Sequence, residues 1–162
     1  MDRNEAVSIT RIPVDFERWD DVLALIMCAF ASMDGIIDPP SSAHLLTADS
    51  LRDKARQETG LVAVQGDRIV GCVFALERAA DLYVGKFAVA PDRQGQGIGR
   101  RLMQAVEDLA RSRGKAAVAL QTRIELTGNH EAFARLGFRE TERTAHEGYA
   151  RPTSITMRKA IS

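Results

Sequence analysis

The amino-acid sequence predicts an α/β sandwich, in which about four helices cover a mixed, mostly antiparallel sheet of six to seven strands. Three observations support this fold class. Apolar patterns typical of strands alternate along the chain with the 3.6-residue periodicity of helices. Residues 116–120 form a continuous apolar run, as expected of a central strand with both faces buried. The chain has 162 residues, so a single domain is predicted over residues 1–162.

The first half of the chain is predicted to form a strand, two helices and a hairpin. Asp15 is the expected N-cap of the first helix, because an Asp side chain can accept hydrogen bonds from the free N–H groups of a first turn. The segment 38–42, rich in Pro and Ser, is a loop. The predicted elements are, in order, a strand over 8–12, a helix with its apolar face between Phe16 and Phe30, a polar helix over 49–56, and strands over 61–64 and 69–76.

The second half is predicted to alternate strands and helices. Gly114 is expected at the C′ position of the long central helix and Gly137 at the end of the last one, since glycine adopts the left-handed conformation that ends many helices. The predicted elements are a strand over 82–90, a helix beginning at Ile98, a strand over 116–120, a short helix capped by Thr127 or Asn129, and strands over 138–143 and 154–157.

The charge balance argues against one class of partner. The chain contains 22 Lys and Arg residues and 22 Asp and Glu residues, so its formal net charge is zero. Nucleic-acid-binding proteins normally carry a basic excess, and we predict no such partner. No apolar run reaches the ~18 residues of a membrane-spanning helix, and residues 1–5 lead into no signal-peptide core. We therefore expect a cytoplasmic protein with no membrane partner.

The cysteines are predicted to be buried, and the histidines are not predicted to bind a metal. Cys28 lies in an apolar helical stripe and Cys72 in an apolar strand, which predicts two buried thiols. His44, His130 and His146 lack the spacing of metal ligands, and no metal site is predicted.

Residues 94–99, Gln-Gly-Gln-Gly-Ile-Gly, join a predicted strand to an amphipathic helix. A helix N-terminus carries free N–H groups and about half a positive charge, which favours a phosphate or pyrophosphate. The phosphate loop of nucleotide hydrolases needs a Lys-Ser/Thr pair that is absent here. The dinucleotide fingerprint needs its third glycine one residue later than Gly99 and an acidic residue after the next strand. Neither of these motifs fits.

The pattern that does fit is Gln/Arg-x-x-Gly-x-Gly/Ala, formed by Gln94, Gly97 and Gly99. Together with Pro91 after the strand and with Leu-Gly-Phe at 136–138, it resembles the acetyl-CoA loop of the GNAT superfamily of N-acetyltransferases. The resemblance covers about residues 8 to 160 and is strongest over 82–138. It implies the three-layer fold of that superfamily and acetyl-CoA as cosubstrate.

The resemblance also implies which residues bind the cofactor. The strand before the glycine loop would pair with the pantetheine arm, the amides of the loop would bind the pyrophosphate, and residues of the last helix would complete the site. Arg93, Arg100 and Arg101 are candidates for the adenosine-side phosphates, and Arg135 matches the position where many relatives place a basic residue near the 3′-phosphate. The predicted cofactor-binding residues are Phe87, Ala88, Val89, Gln94, Gly95, Gln96, Gly97, Ile98, Gly99, Arg100, Asn129, Phe133 and Arg135.

Two positions depart from the superfamily pattern. The usual acid is a tyrosine four residues before the Gly-Phe pair, and here that residue is Phe133. The strand position that often carries a glutamate base is Gly85. Replacements must come from elsewhere, and the sequence offers Glu125 as the base, directly or through water, and Tyr149 as the acid.

The resemblance implies direct transfer of an acetyl group to an amine of a small molecule or peptide. The losses at Gly85 and Phe133 leave a second interpretation open, a CoA-binding sensor or pseudoenzyme. Transfer of a longer acyl group is a third. Arg143, Arg151 and Lys86 suggest an acceptor with a carboxylate or phosphate. A homodimer is possible, since many relatives form one.

Overall fold

The computed structural model describes residues 6–161 and has the predicted order of elements. Residues 1–5, on which the prediction about a signal peptide depends, lie outside this range. The elements are β1 (Val7–Arg11), α1 (Trp19–Phe30), α2 (Ala48–Gln57), β2 (Thr59–Gln65), β3 (Arg68–Glu77), β4 (Asp81–Val89), α3 (Ile98–Ser112), β5 (Ala117–Arg123), α4 (Thr127–Arg135), β6 (Arg139–Thr144) and β7 (Ser154–Ala160).

The strands form one sheet in the order β1-β2-β3-β4-β5-β7-β6. Five pairings are antiparallel: β1–β2, β2–β3 and β3–β4 on one side of the sheet, and β5–β7 and β6–β7 on the other. Only β4 and β5, which are connected through α3, run parallel within the described residues. The predicted mixed, mostly antiparallel sheet is therefore confirmed.

The central strands β4 and β5 separate halfway along their length. They pair only from Asp81 with Ala117 to Val84 with Leu120. Beyond this point β5 stays paired with β7 alone. β4 stays paired with β3, through Ala88 and Val89. The sheet thus opens into a cleft between the second halves of β4 and β5, at the edge where the glycine loop begins.

The helices cover both faces of the sheet. On one face a side chain at Gly71 of β3 would contact Leu102 and Ile98 of α3 at 2.9 and 3.2 Å, which shows how closely helix and strand approach. On the other face Lys54 of α2 lies over the Phe74 ring, 5.8 Å from its centroid. Side chains three positions apart on a strand point to opposite faces, so α2 and α3 lie on opposite sides. The fully buried side chains include Ile26, Leu51, Phe74, Leu82 and Leu102.

Three local predictions were wrong. Neither Thr127 nor Asn129 caps α4, because its N-cap residue is Leu126 and no side chain bonds the first amides. Asp15 does not cap α1, which begins at Trp19 after Arg18. Pro13 instead begins a turn in which its carbonyl accepts a hydrogen bond from the Phe16 N–H at 3.2 Å. The helix begins only after this turn. Cys28 is exposed rather than buried, because the apolar stripe of α1 is narrower than the sequence suggests.

The predictions about Cys72 and the helix ends were correct. Cys72 is buried, and this burial raises the pKa of its thiol to about 12. Gly114 and Gly137 adopt positive φ angles of 69° and 100° at the ends of their helices. In the described part of the chain, no helix combines the length and the apolar character needed to cross a membrane.

Candidate functional site

The glycine loop owes two of its glycines to backbone conformation. Gly95 and Gly97 have φ angles of 79° and 82°, a region that other residues rarely adopt. A Cβ at either position would meet no protein atom within 4 Å, so these positions border open space. Gly99 differs, because its Cβ would lie 3.2 Å from the Phe87 ring. The loop and β4 therefore approach each other at Gly99.

The loop leads directly into the N-terminus of α3, a helix of 15 residues. The first hydrogen bond that closes a helical turn runs from the Arg101 N–H to the Gly97 carbonyl, at 3.0 Å. The amides of Ile98, Gly99 and Arg100 precede that bond and have no acceptor within the helix. No acidic residue lies in the first turn. The helix end is therefore an electropositive set of donors, suited to an anion.

A cavity of about 680 Å³ lies between this helix end, the free edge of β4 and α4; we call it the loop cavity. Every residue predicted to bind the cofactor lines it, except Gln96. The structure thus brings together three segments that are distant in the sequence, namely residues 87–89, the glycine loop and α4.

The β4 edge offers backbone groups to this cavity. The Ala90 N–H donates to Val70 of β3 at 2.8 Å, so Ala90 faces β3. Backbone polar groups alternate along an extended strand, and those of Val89 therefore point away from β3, into the cleft. The Gln94 side chain donates to the Val89 carbonyl at 3.3 Å, which agrees with this orientation. An extended ligand with amide groups could pair here as an added strand.

The arginines near the loop fall into two groups. Arg93 donates to Gln65 at 2.8 Å and pairs with Asp92, and Arg101 donates to the Val7 carbonyl at 2.6 Å. Arg100 and Arg135 line the cavity, are exposed, and have no hydrogen bond or ion pair within residues 6–161. These two guanidinium groups are available to a phosphate-bearing ligand.

Phe133 forms the apolar part of the cavity wall. Its ring lies 5.9 Å from that of Phe87 and 6.0 Å from that of Phe138, measured between centroids. The ring therefore packs between β4 and the chain after α4, and it has no hydroxyl to donate.

A second cavity, also of about 680 Å³, continues from the loop cavity into the cleft between β4 and β5; we call it the cleft cavity. Phe30, Phe87 and Phe133 border both cavities, so the two cavities adjoin at these side chains. None of the described residues that line the cleft cavity is Asp or Glu. Its polar lining includes Lys54, Tyr83, Lys86, Thr122, Arg123 and His146.

Glu125 and Tyr149 come together, but through a third residue and outside the linings of both cavities. Tyr149 donates its hydroxyl to Asp38 at 2.6 Å, and Glu125 accepts the Asp38 N–H at 3.2 Å. Arg151 also bonds Asp38, at 3.1 Å. The hydrogen bond to Asp38 raises the pKa of Tyr149, which weakens it as an acid. These contacts hold Asp38 at the start of the loop 38–42, of which Pro40, Ser41 and Ser42 border the cleft cavity.

His146 lines the cleft cavity and is a candidate general base that its local sequence does not indicate. Its N–H and Nδ1 lie 2.8 and 2.5 Å from the hydroxyl oxygen of the buried Thr153, and that hydroxyl faces the Thr144 carbonyl at 3.4 Å. If Thr153 donates to Thr144, its lone pairs accept both His146 groups, which places the ring proton on Nδ1 and the free lone pair on Nε2. Burial and the Arg123 charge lower the pKa of His146, so the ring is neutral at pH 7.

Among residues 6–161, no group of three or more His, Cys, Asp or Glu side chains is placed so that it could bind a metal ion.

Comparison with known proteins agrees with this geometry. The profile described as "Acetyltransferase (GNAT) family" matches residues 19–138, and the chain belongs to this family of acyltransferase enzymes. The family, fold and enzyme class predicted from the sequence are thus confirmed, as is transfer of an acetyl group to nitrogen as the activity named for two of its relatives.

Two curated relatives and one solved structure illustrate the match. IAA acetyltransferase of Azospirillum brasilense is 30% identical over 130 residues, which are 78% of this chain and 82% of that protein. N-alpha-acetyltransferase 30 of Schizosaccharomyces pombe is 31% identical over 86 residues, 50% of this chain, and the match spans only 57% of that relative. The PaiA N-acetyltransferase of Thermoplasma acidophilum, solved with coenzyme A, has the same fold, with a TM-score of 0.79 at 13% identity over 96% of this chain and 99% of that chain.

Proposed function

We propose that this protein binds acetyl-CoA in the loop cavity and transfers the acetyl group directly to an amine in the cleft cavity. The observation that supports it most is the junction of the two cavities at the splayed β4 edge, beside a helix N-terminus with free donors. The pyrophosphate would bind the amides of residues 97–100, and the pantetheine arm would pair with β4 along Phe87 to Val89.

The arginines give a specific prediction for the cofactor. Arg100→Ala combined with Arg135→Ala should weaken acetyl-CoA binding by at least about tenfold, because each charge-assisted contact contributes about 1.5–3 kcal/mol before solvent screening. Arg101→Ala is the matched control, since that residue points to Val7 and not into the cavity. Calorimetric Kd values for acetyl-CoA would measure the difference. Equal Kd values for the double variant and the control would contradict the assignment.

The amine must lose a proton for the transfer to proceed. An alkyl ammonium with a pKa near 10.4 costs about 4.6 kcal/mol to deprotonate at pH 7. The thiolate that leaves, if it resembles a cysteine, is only about 2 kcal/mol from protonation. A base therefore matters more than an acid, and the loss of the usual tyrosine at Phe133 is tolerable.

His146 is the base that the lining of the cleft cavity supports best. It borders the cavity, is neutral at pH 7, and has a ring nitrogen without a partner in residues 6–161. The assignment of Glu125 as base and Tyr149 as acid stays a prediction. Both side chains bond Asp38, so we propose that they act on the acceptor mainly by positioning the loop.

A second candidate function is an acyl-CoA-binding sensor, which the residues Gly85 and Phe133 favour. A third is transfer of a longer acyl group: a Cβ at Gly85 would meet only Lys54 Nζ at 3.9 Å, so this wall leaves room. The test is CoA release from acetyl-CoA and from longer acyl-CoA thioesters with a panel of small amines and peptides. Acetyl-CoA consumption with an amine supports the proposal, and tight binding without turnover of any thioester supports the sensor.

The remaining expectations concern partners, location, domain organisation and oligomeric state. The net charge of zero supports a function without nucleic acid. A cytoplasmic location, a single domain over residues 1–162 and a homodimer stay predictions, and sedimentation of the purified protein would test the last.

A further inference from the structure

The cleft cavity is electropositive. Lys54, Lys86 and Arg123 line it, and no carboxylate belongs to its described lining. Three carboxylates lie behind its wall: Glu58 bonds Lys54 at 2.8 Å, Asp34 bonds His44 at 2.7 Å, and the charge of Glu125 acts on His146. The nearest negative charges thus offset only part of the positive charge around the acceptor.

The positive charge of Lys86 is not balanced by an ion pair within residues 6–161. Its ammonium bonds only the Ser42 hydroxyl, at 3.3 Å, and makes no ion pair within residues 6–161. Burial and the charge of Lys54 lower the pKa of Lys86, and the charge of Glu58 opposes this only in part. Arg123 is similar, because it bonds the carbonyls of Pro39 and Pro40 and no carboxylate.

The backbone at Lys86 is unusual. Lys86 is the one non-glycine residue of the described chain with a positive φ angle, 49°. It lies at an irregularity in the β3–β4 pairing, between Gly85 opposite Phe74 and Ala88 opposite Cys72. Such conformations persist where the surrounding structure imposes them and are common at functional sites. Here the irregularity places Lys86 at the wall of the cleft cavity.

A second unmatched polar group lies in the same lining. The hydroxyl of Thr122 is buried, its residue is 7% exposed, and it has no hydrogen-bond partner. Buried hydroxyls are nearly always bonded, so this one is available to a polar ligand. Arg143 and Arg151, which the sequence also suggested as anion-binding residues, do not add to the uncompensated positive charge. Arg143 pairs with Glu140 and Arg151 pairs with Asp38.

We infer that the acceptor is an amine that carries an anionic group, a carboxylate or a phosphate, and that Lys86 binds this group with support from Lys54 and Thr122. The inference rests on the proposed function, of which it names the acceptor class. A polyamine or another acceptor with several positive charges would meet repulsion in this cavity and no carboxylate in its described lining.

The test compares acceptors that differ in one charge. Initial rates of CoA release at saturating acetyl-CoA are measured for glycine, β-alanine and 4-aminobutyrate, each beside its carboxamide, and for phosphoethanolamine beside ethanolamine. The phosphate pair distinguishes a phosphate site from a carboxylate site. The carboxamide has the less basic amine, so a preference for the carboxylate cannot arise from easier deprotonation.

For the best pair, we expect kcat/KM to be at least about tenfold higher for the anionic member. Lys86→Met, which keeps the length of the side chain, should reduce this ratio to below about threefold. Lys115→Met should retain the ratio, because Lys115 bonds Glu77 and lines neither cavity. A ratio of one or less in every pair, or the same ratio in Lys86→Met, overturns the inference.

Binding separates this inference from the proposed function. If no amine releases CoA, the same pairs are titrated into the CoA-bound protein by calorimetry. Binding of the anionic member that is lost in Lys86→Met then supports the anion site and contradicts acetyl transfer. Equal binding of both members overturns the anion site.

Discussion

Gly97→Asp is expected to weaken acetyl-CoA binding by at least about 100-fold, because a carboxylate at this position would face the cofactor pyrophosphate. At a separation of about 5 Å and an effective dielectric constant of about 20, two like unit charges repel by about 3 kcal/mol. Gly97 precedes α3 and lines the loop cavity, so the new charge would also compensate the helix N-terminus in place of the phosphate. Isothermal titration calorimetry with acetyl-CoA measures the change.

Gly97→Asn is the matched control for this variant. Asn has the same shape as Asp and, like Asp, tolerates the positive φ angle of 82° better than other side chains. The two variants should therefore melt at similar temperatures and differ in charge alone. If Gly97→Asp and Gly97→Asn bind acetyl-CoA equally well, the glycine loop does not hold the pyrophosphate.

His146→Gln is expected to lower kcat by about 10²- to 10⁴-fold, the usual contribution of a general base. The Kd for acetyl-CoA should change by less than about twofold, because His146 lines the cleft cavity and not the loop cavity. The backbone N–H of residue 146 would still donate to Thr153, which preserves the local turn. Steady-state kinetics with the best amine and a separate cofactor titration distinguish these two quantities.

The pH dependence of kcat gives a second signature. The base must be neutral, and burial with the Arg123 charge lowers the pKa of His146 from its ordinary value near 6.5. The wild-type protein should therefore lose activity only below about pH 6.5, as the ring gains a proton, and His146→Gln should lack this step.

Two further variants test the competing assignment. Because Glu125 and Tyr149 bond Asp38, Glu125→Gln and Tyr149→Phe should raise the KM of the acceptor more than they lower kcat. If His146→Gln keeps kcat within about threefold and Glu125→Gln lowers it by about 100-fold, then Glu125 is the base.

The parts of the site that the sequence predicts are those fixed by local chemistry. Positive φ angles at Gly95 and Gly97 follow from a tight strand-to-helix turn, and a glycine pattern of this kind is visible in six consecutive residues. The order of the strands and helices follows from apolar periodicity in the same way. The residues that line the loop cavity were predictable because they lie next to these local signals or at fixed positions of the family pattern.

Contacts between distant segments explain what the sequence did not predict. Tyr149 and Asp38 are 111 positions apart, and nothing local to either residue indicates their hydrogen bond. Thr153 orients the ring of His146 from seven positions further along the chain, and nothing local to His146 indicates this contact. Cys28 was predicted to be buried from a pattern of neighbours, but the exposed side of a helix depends on which face the sheet covers.

The central claim is that the glycine loop and the β4 edge together bind an acyl-CoA for transfer. Its most direct test is a calorimetric titration of the protein with acetyl-CoA, beside free CoA and a longer acyl-CoA. The account predicts acetyl-CoA binding with a Kd of about micromolar or below, equivalent to about −8 kcal/mol, and loss of that binding in Gly97→Asp. A folded protein that binds none of the three ligands would contradict the account and leave the glycine loop with a purely structural role.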